Sequence, residues 1–170
     1  MSQASVEISE YDPDWPLAFE REKKFLEDIV GEWLYGSIEH VGSTSVPGLA
    51  AKPVIDIMFG VKSLQISWPA IDVLVKNSYL HFPYKEDVMH WLCRPSHECR
   101  THHLHLIPFQ SPLWNERIRF REILRGNLNI AKQYSDLKRA LAVKYKYDRE
   151  LYTAEKWPFI KGVLDRARHV

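Results

Sequence analysis

"EHVGSTSVPGLAAKPVIDI", residues 39–57, places a loop rich in glycine, hydroxyls and proline immediately before a run of Val and Ile that contains one acid, Asp56. The run continues through "MFGV", so residues 54–61 are almost wholly apolar. A short apolar run of that kind, bounded by turn residues, predicts a strand buried on both faces. Strand alternation then turns Ile55 and Ile57 to one side and Val54, Asp56 and Met58 to the other. A carboxylate on a buried strand needs water, a counter-charge or a ligand, because an unpaired buried charge is costly.

The loop is the second half of the signal. Gly42 permits close backbone approach or a positive φ. Ser43, Thr44 and Ser45 add hydroxyls and successive backbone N–H groups, a combination suited to a phosphate oxygen. An ordinary Gly/Pro turn is the alternative reading of the same residues.

Working outward, "GSIEHVG", residues 36–42, predicts a short strand before the loop. Upstream, residues 6–11 ("VEISEY") alternate and predict an edge strand, and residues 16–34 predict an amphipathic helix begun by Asp14. Downstream, "SWPAIDVLVKNS" predicts a helix capped by Ser67. "YLHFPY", "MHWLCRP" and "RTHHLHLIP" predict strands. Beyond Ser111 the chain reads as helices over 112–125, 129–145 and 148–169, with Asp148 as a cap and Pro158 expected to kink or interrupt the last. The fold class is α+β: a small mixed sheet in residues 1–110, then a helical region, 111–170, packed on it within one domain of 170 residues.

In "RTHHLHLIP", His103 and His105 share a face with Ile107, while His102 shares the other with Leu104 and Leu106. Two imidazoles two positions apart on a strand can meet one metal or one phosphate. Imidazole suits Zn, Mn, Ni or Fe, whereas Mg prefers oxygen. Arg117, Arg121 and Arg125 repeat at helical spacing, a pattern that ordinarily marks a solvated face. Arg100 and Arg121 are the arginines selected for anion contacts, and Lys52 lies beside the loop. Glu39 and His40 border it as candidate bases on opposite faces. Trp91 and Tyr84 are candidates for base stacking.

Net charge is +1, so no global field recruits nucleic acid or a membrane. Two cysteines make no disulfide framework, and the N-terminus lacks a signal-peptide pattern, so a cytoplasmic location is expected. The sequence does not specify an oligomeric state.

The loop-to-strand stretch through Val61, together with "RTHHLHLI", resembles the GrpB family, a branch of the nucleotidyltransferase superfamily. The similarity extends from "YDPDWPLAFEREKKFL" through "LRGNLNIAKQYSDLKRALAVKY" to "DRELYTAEKWPFI". The resemblance implies a nucleotidyltransferase-like sheet in which Gly42 and Ser43 take nucleotide phosphate. It further implies a divalent metal, Mg or Mn with Zn possible, on acids of the following strand. Asp56 is the one acid there; Val54 or Met58 stands where a second is expected, and His103 and His105 stand where a third is expected. The function implied is metal-dependent nucleotidyl transfer, with a nucleoside triphosphate or nucleotide-containing metabolite as ligand. The alternatives are a non-catalytic nucleotide- or metal-binding module and a metal-assisted phosphohydrolase. In these readings Asp56, His103 and His105 hold the metal. Gly42, Ser43, Thr44, Ser45, Lys52, Arg100 and Arg121 line the substrate.

Overall fold

The central pair of strands decides the architecture. The computed structural model describes residues 5–168. In it β2 (Ile55–Val61) runs parallel to β5 (Arg100–Pro108), the register placing Asp56 opposite His103. β1 (Ile38–Val41) adds antiparallel to β2. β4 (His90–Pro95) and then β3 (Leu80–Phe82) add antiparallel on the far side, giving the order β1-β2-β5-β4-β3. This is the expected α+β class, a mixed sheet followed by helices.

The two faces of the sheet are dressed differently. On one face Ile55, Ile57, Phe59, Leu104 and Leu106 meet α1 (Asp14–Val30) and α2 (Trp68–Lys76) through Trp15, Phe19, Leu26, Ile71 and Leu74. This is the main core, as the alternation requires. On the other face Val41, Met58, Trp91 and Ile107 meet Trp114 and Ile118 of α3 (Pro112–Gly126). That cover is partial, and Asp56, His103 and His105 lie on the same face.

The last two helices, α4 (Leu128–Lys144) and α5 (Arg149–Ala167), pack on the loop between β1 and β2. Val46 and Leu49 of the loop are buried with Leu124, Ala131 and Tyr134. The α4 stripe of Tyr134, Leu137 and Leu141 thus finds its cover in that loop and in Val6. Asn127 and Asp148 cap α4 and α5 by accepting from the backbone N–H of Ile130 and Leu151.

Four local expectations are corrected. Residues 6–11 form no sheet strand; they make one bridge, Ser9 to Ala51, because Val6 is drawn into the cluster with Leu141 and Tyr152. The first helix ends at Val30 and tightens into a 3-10 turn over Gly31–Trp33. Ser67 stands at the N-cap position of α2 as expected, but its side chain makes no capping bond; its hydroxyl donates to Leu64 O. α5 continues through Pro158, and Ala154 and Pro158 are both exposed, so water can take up the carbonyl the proline leaves unpaired. Position 169, the expected end of that helix, lies outside the described residues.

Candidate functional site

Asp56, His103 and His105 converge. Asp56 Oδ1 is 2.9 Å from His103 Nδ1 and 3.7 Å from His105 Nε2, and one ligand atom from each residue lies within 4.8 Å of the others. The arrangement follows from the backbone. Parallel pairing sets Asp56 beside His103, and the two-residue period brings His105 to the same face one step along.

The electrostatics favour a cation at this point. Burial alone would raise the Asp56 pKa, but the hydrogen bond with His103 and the electrostatic interaction with His103 and His105 overcome it and hold the carboxyl well below its usual range. Burial, with Arg117 nearby, lowers the His105 pKa to about 3, so this imidazole is neutral at physiological pH. Its Nε2 is too far from Asp56 Oδ1 for a hydrogen bond, and its Nδ1 is buried with no partner. His103 Nε2 is likewise buried without a partner. The donor set is one carboxylate and two imidazoles, with spacing compatible with bonds of about 2.0–2.2 Å to a single ion. A divalent transition metal fits these residues better than Mg, which prefers an all-oxygen shell.

A second carboxylate is missing from the strand. Val54 and Met58, the positions flanking Asp56 on its own face, are 6% and 0% exposed, so they serve the core and contribute no acid.

The loop approaches the acid closely. Gly42 has φ +72 and ψ −176, and a Cβ built there would lie 2.5 Å from Asp56 Oδ2. Ser43–Ser45 form a 3-10 turn. Ser45 donates to Gly42 O, and Thr44 donates to Val54 O while bonding His40 Nε2 at 2.9 Å. The hydroxyls of Thr44 and Ser45 are therefore committed to the turn. Ser43, half-buried, interacts with the Tyr134 phenol of α4.

His40 faces away, stacked on Phe19 at 4.9 Å, with its pKa lowered to about 4, chiefly by burial. Glu39, on the opposite side, pairs with Arg121 at 2.7 Å. Arg121 also donates to His40 O, and Arg125 donates to Ser45 O at 2.8 and 3.1 Å. This helical stripe thus turns onto the loop and β1 instead of forming a solvated face. Its role here is to fix α3 against the loop.

The remaining cations near Asp56 come from several elements. Lys52 has its pKa lowered to about 8 by burial and then by repulsion from Lys156, and Asp56 acts in the opposite sense. Burial brings Lys156 of α5 to about 8, again opposed by Asp56. Half-buried Arg117 of α3 feels the same carboxylate. Among the described residues, neither Lys52 nor Lys156 makes a salt bridge. Arg100 and Arg149 both donate to His97 O, which ties the start of α5 to the β4–β5 turn. The Arg100 guanidinium lies 4.9 Å from the Trp91 ring centre, and Trp91 stands 5.3 Å from His103. Tyr84 is exposed, 6.4 Å from Trp91. Lys156, Arg117 and Arg149 were not singled out as site residues in the sequence, since only tertiary packing brings their helices to this face.

No helix among the described residues is long and apolar enough to cross a membrane. The fold and site define an α+β protein with an Asp-His-His cluster on a half-covered sheet face, within the electrostatic reach of Lys52, Lys156 and Arg117. The chain belongs to the GrpB family: the family model described as "GrpB protein" matches residues 5–166. It is 34% identical over 170 residues to the glutamate-rich protein GrpB of Alkalihalophilus pseudofirmus, covering 97% of each chain. It is 31% identical to the YqkA protein of Bacillus subtilis over 96% of this chain and 47% of that one, so it spans about half of YqkA. The crystal structure of the conserved protein GrpB from Enterococcus faecalis superposes with TM-score 0.83 at 30% identity, covering 95% of this chain and 99% of that one.

Proposed function

We propose that this protein binds a divalent metal through Asp56, His103 and His105 and uses the site to hold a nucleotide or nucleotide-containing metabolite by its phosphates, for nucleotidyl transfer. The observation that carries the reading is the convergence of Asp56 Oδ1, His103 Nδ1 and His105 Nε2 beside lysines that lack carboxylate partners. A bound divalent ion at such a site supplies Lewis-acid stabilisation of charge on phosphoryl oxygens. The chain's own residues do the rest. Lys52, Lys156 and Arg117 offset phosphate charge on a partly buried sheet face, where each such contact counts for more than in water. Gly42 brings backbone close to the acid without a side chain in the way, and Ser43 is the one loop hydroxyl not bonded within the turn. Trp91, buried beneath Arg100, packs on His103 and fixes that imidazole at the edge of the site.

A second reading, a binding module without transfer chemistry, is favoured by one specific observation: Val54 or Met58, both core residues, stands where a two-metal site would carry the strand's second acid. Thermal-shift measurements with Mn, Zn, Mg and nucleotides, run with and without chelator, separate the two when combined with label transfer from radioactive nucleoside triphosphates. A metal-dependent nucleotide shift with transfer that disappears in Asp56→Asn supports the first reading. The same shift without transfer supports the second. Absence of any metal or nucleotide shift contradicts both, since a ligand at a hundred times its Kd adds about 2.7 kcal/mol to stability.

A further inference from the structure

On the opposite face of the sheet a second pair of histidines has a feature that the first site does not explain. His90 of β4 is 3% exposed. Its Nε2 is 3.0 Å from the backbone carbonyl of Leu64, which can only accept. That bond fixes the ring proton on Nε2 and leaves Nδ1 with a bare lone pair. Nδ1 is buried and has no partner, and so is Nε2 of His81 on the neighbouring strand β3. The two rings are 6.0 Å apart at 75°. Two nitrogen atoms from different strands are thus withdrawn from water without a hydrogen bond, which is a costly arrangement unless something binds there.

We infer that His81 Nε2 and His90 Nδ1 form a second divalent-metal site, suited to Zn(II), Ni(II) or Cu(II). A ligating imidazole characteristically donates its other ring N–H to a carbonyl or carboxylate, and Leu64 O already provides that partner. Two imidazoles bound at about 2.1 Å to one ion keep their ring centres within about 6.5 Å, near 5.3 Å for a tetrahedral angle, so the observed spacing needs only a small closure. The ion would bridge β3 and β4, beside the Leu64 segment to which His90 is already hydrogen-bonded. Trp68, half-exposed, packs on both rings, 4.6 Å from His90 and 5.7 Å from His81, and so reports on whatever occupies the space between them.

The test uses the full chain and Cu(II) or Ni(II) alone as probe, with Asp56→Asn present throughout to remove the first site. The inference predicts one remaining equivalent of bound ion, with quenching of Trp68 fluorescence, the Trp68→Phe variant identifying that signal. Both His81→Gln and His90→Gln are to weaken this binding at least about tenfold. Thermal melts establish that each variant is folded, and should His90→Gln fail to fold, His81→Gln decides. Failure of the Asp56→Asn protein to bind an ion, or quenching of Trp68 that persists unchanged in His81→Gln, overturns the inference. Neither result bears on the Asp56 cluster, which is tested in the His81→Gln background.

Discussion

Gly42 and Asp56 occupy space that only a glycine can share: a Cβ at position 42 would come within 2.5 Å of the carboxylate's Oδ2. The backbone of Gly42, with φ +72 and ψ −176, lies in a region that L-residues avoid at a cost of about 1–3 kcal/mol. The loop and the acid are therefore one unit, and the acid's position depends on the absence of a side chain upstream.

The first prediction follows directly. Gly42→Ala is expected to lower stability in urea melts by about 2–3 kcal/mol and to weaken metal binding, because Asp56 must move. Gly48→Ala is the control: Gly48 also has positive φ, +77, but nothing lies within 4 Å of its built Cβ. It should lose about 1 kcal/mol and keep metal affinity. Equal loss of metal affinity in the two variants would refute the steric argument.

Acid should destabilise the protein through its buried histidines. Burial is the leading cause that lowers His40 and His102 to about 4 and His105 to about 3. The unfolded chain binds protons on these rings near pH 6.5 and the folded chain does not until much lower, so stability falls as pH drops from about 6.5 towards 4. Near pH 5 unfolding should take up two to three protons from this group, a slope of about 3–4 kcal/mol per pH unit. Urea melts of metal-free protein from pH 7 to pH 4.5 give that slope, and a flat profile would mean that these rings are already charged in the folded state.

Lys138 is expected to act in the opposite range of pH. It is 1% exposed, donates to Ala50 O, and lies 4.9 Å from the Tyr134 ring centre, with no carboxylate beside it. Burial and then Lys156 lower its pKa to about 7. Between about pH 7 and 10 the unfolded chain holds this proton and the folded chain does not, so stability rises with pH. Lys138→Met should reduce that rise by about 1.4 kcal/mol per pH unit between pH 8 and 9.5, the equivalent of one proton. An unaltered slope would show that Lys138 stays charged when folded.

Much of this was legible in local sequence. The apolar run around Asp56 marked a buried strand, and alternation alone put His103 and His105 on one face and His102 on the other. What was not legible depends on contacts distant along the chain. The 47 residues that separate Asp56 from His103 carry no local sign that the two strands pair in parallel with those residues opposed. Lys156 and Arg149 sit on a helix whose approach to the sheet is set by burial of Val46, Leu49 and Tyr134. The contact of Arg121 with Glu39 was not legible, because periodicity cannot tell an inward arginine stripe from a solvated one. Residues 6–11 misled because alternation was satisfied by Val6 packing on α4 and α5, with no strand neighbour required.

The central claim is that one divalent ion is held jointly by strands β2 and β5, and anomalous diffraction from crystals soaked with Mn(II) or Zn(II) tests it most directly. The account predicts a peak about 2.0–2.3 Å from Asp56 Oδ1, His103 Nδ1 and His105 Nε2, lost in Asp56→Asn crystals. A soaked crystal with no peak among these three residues would contradict it.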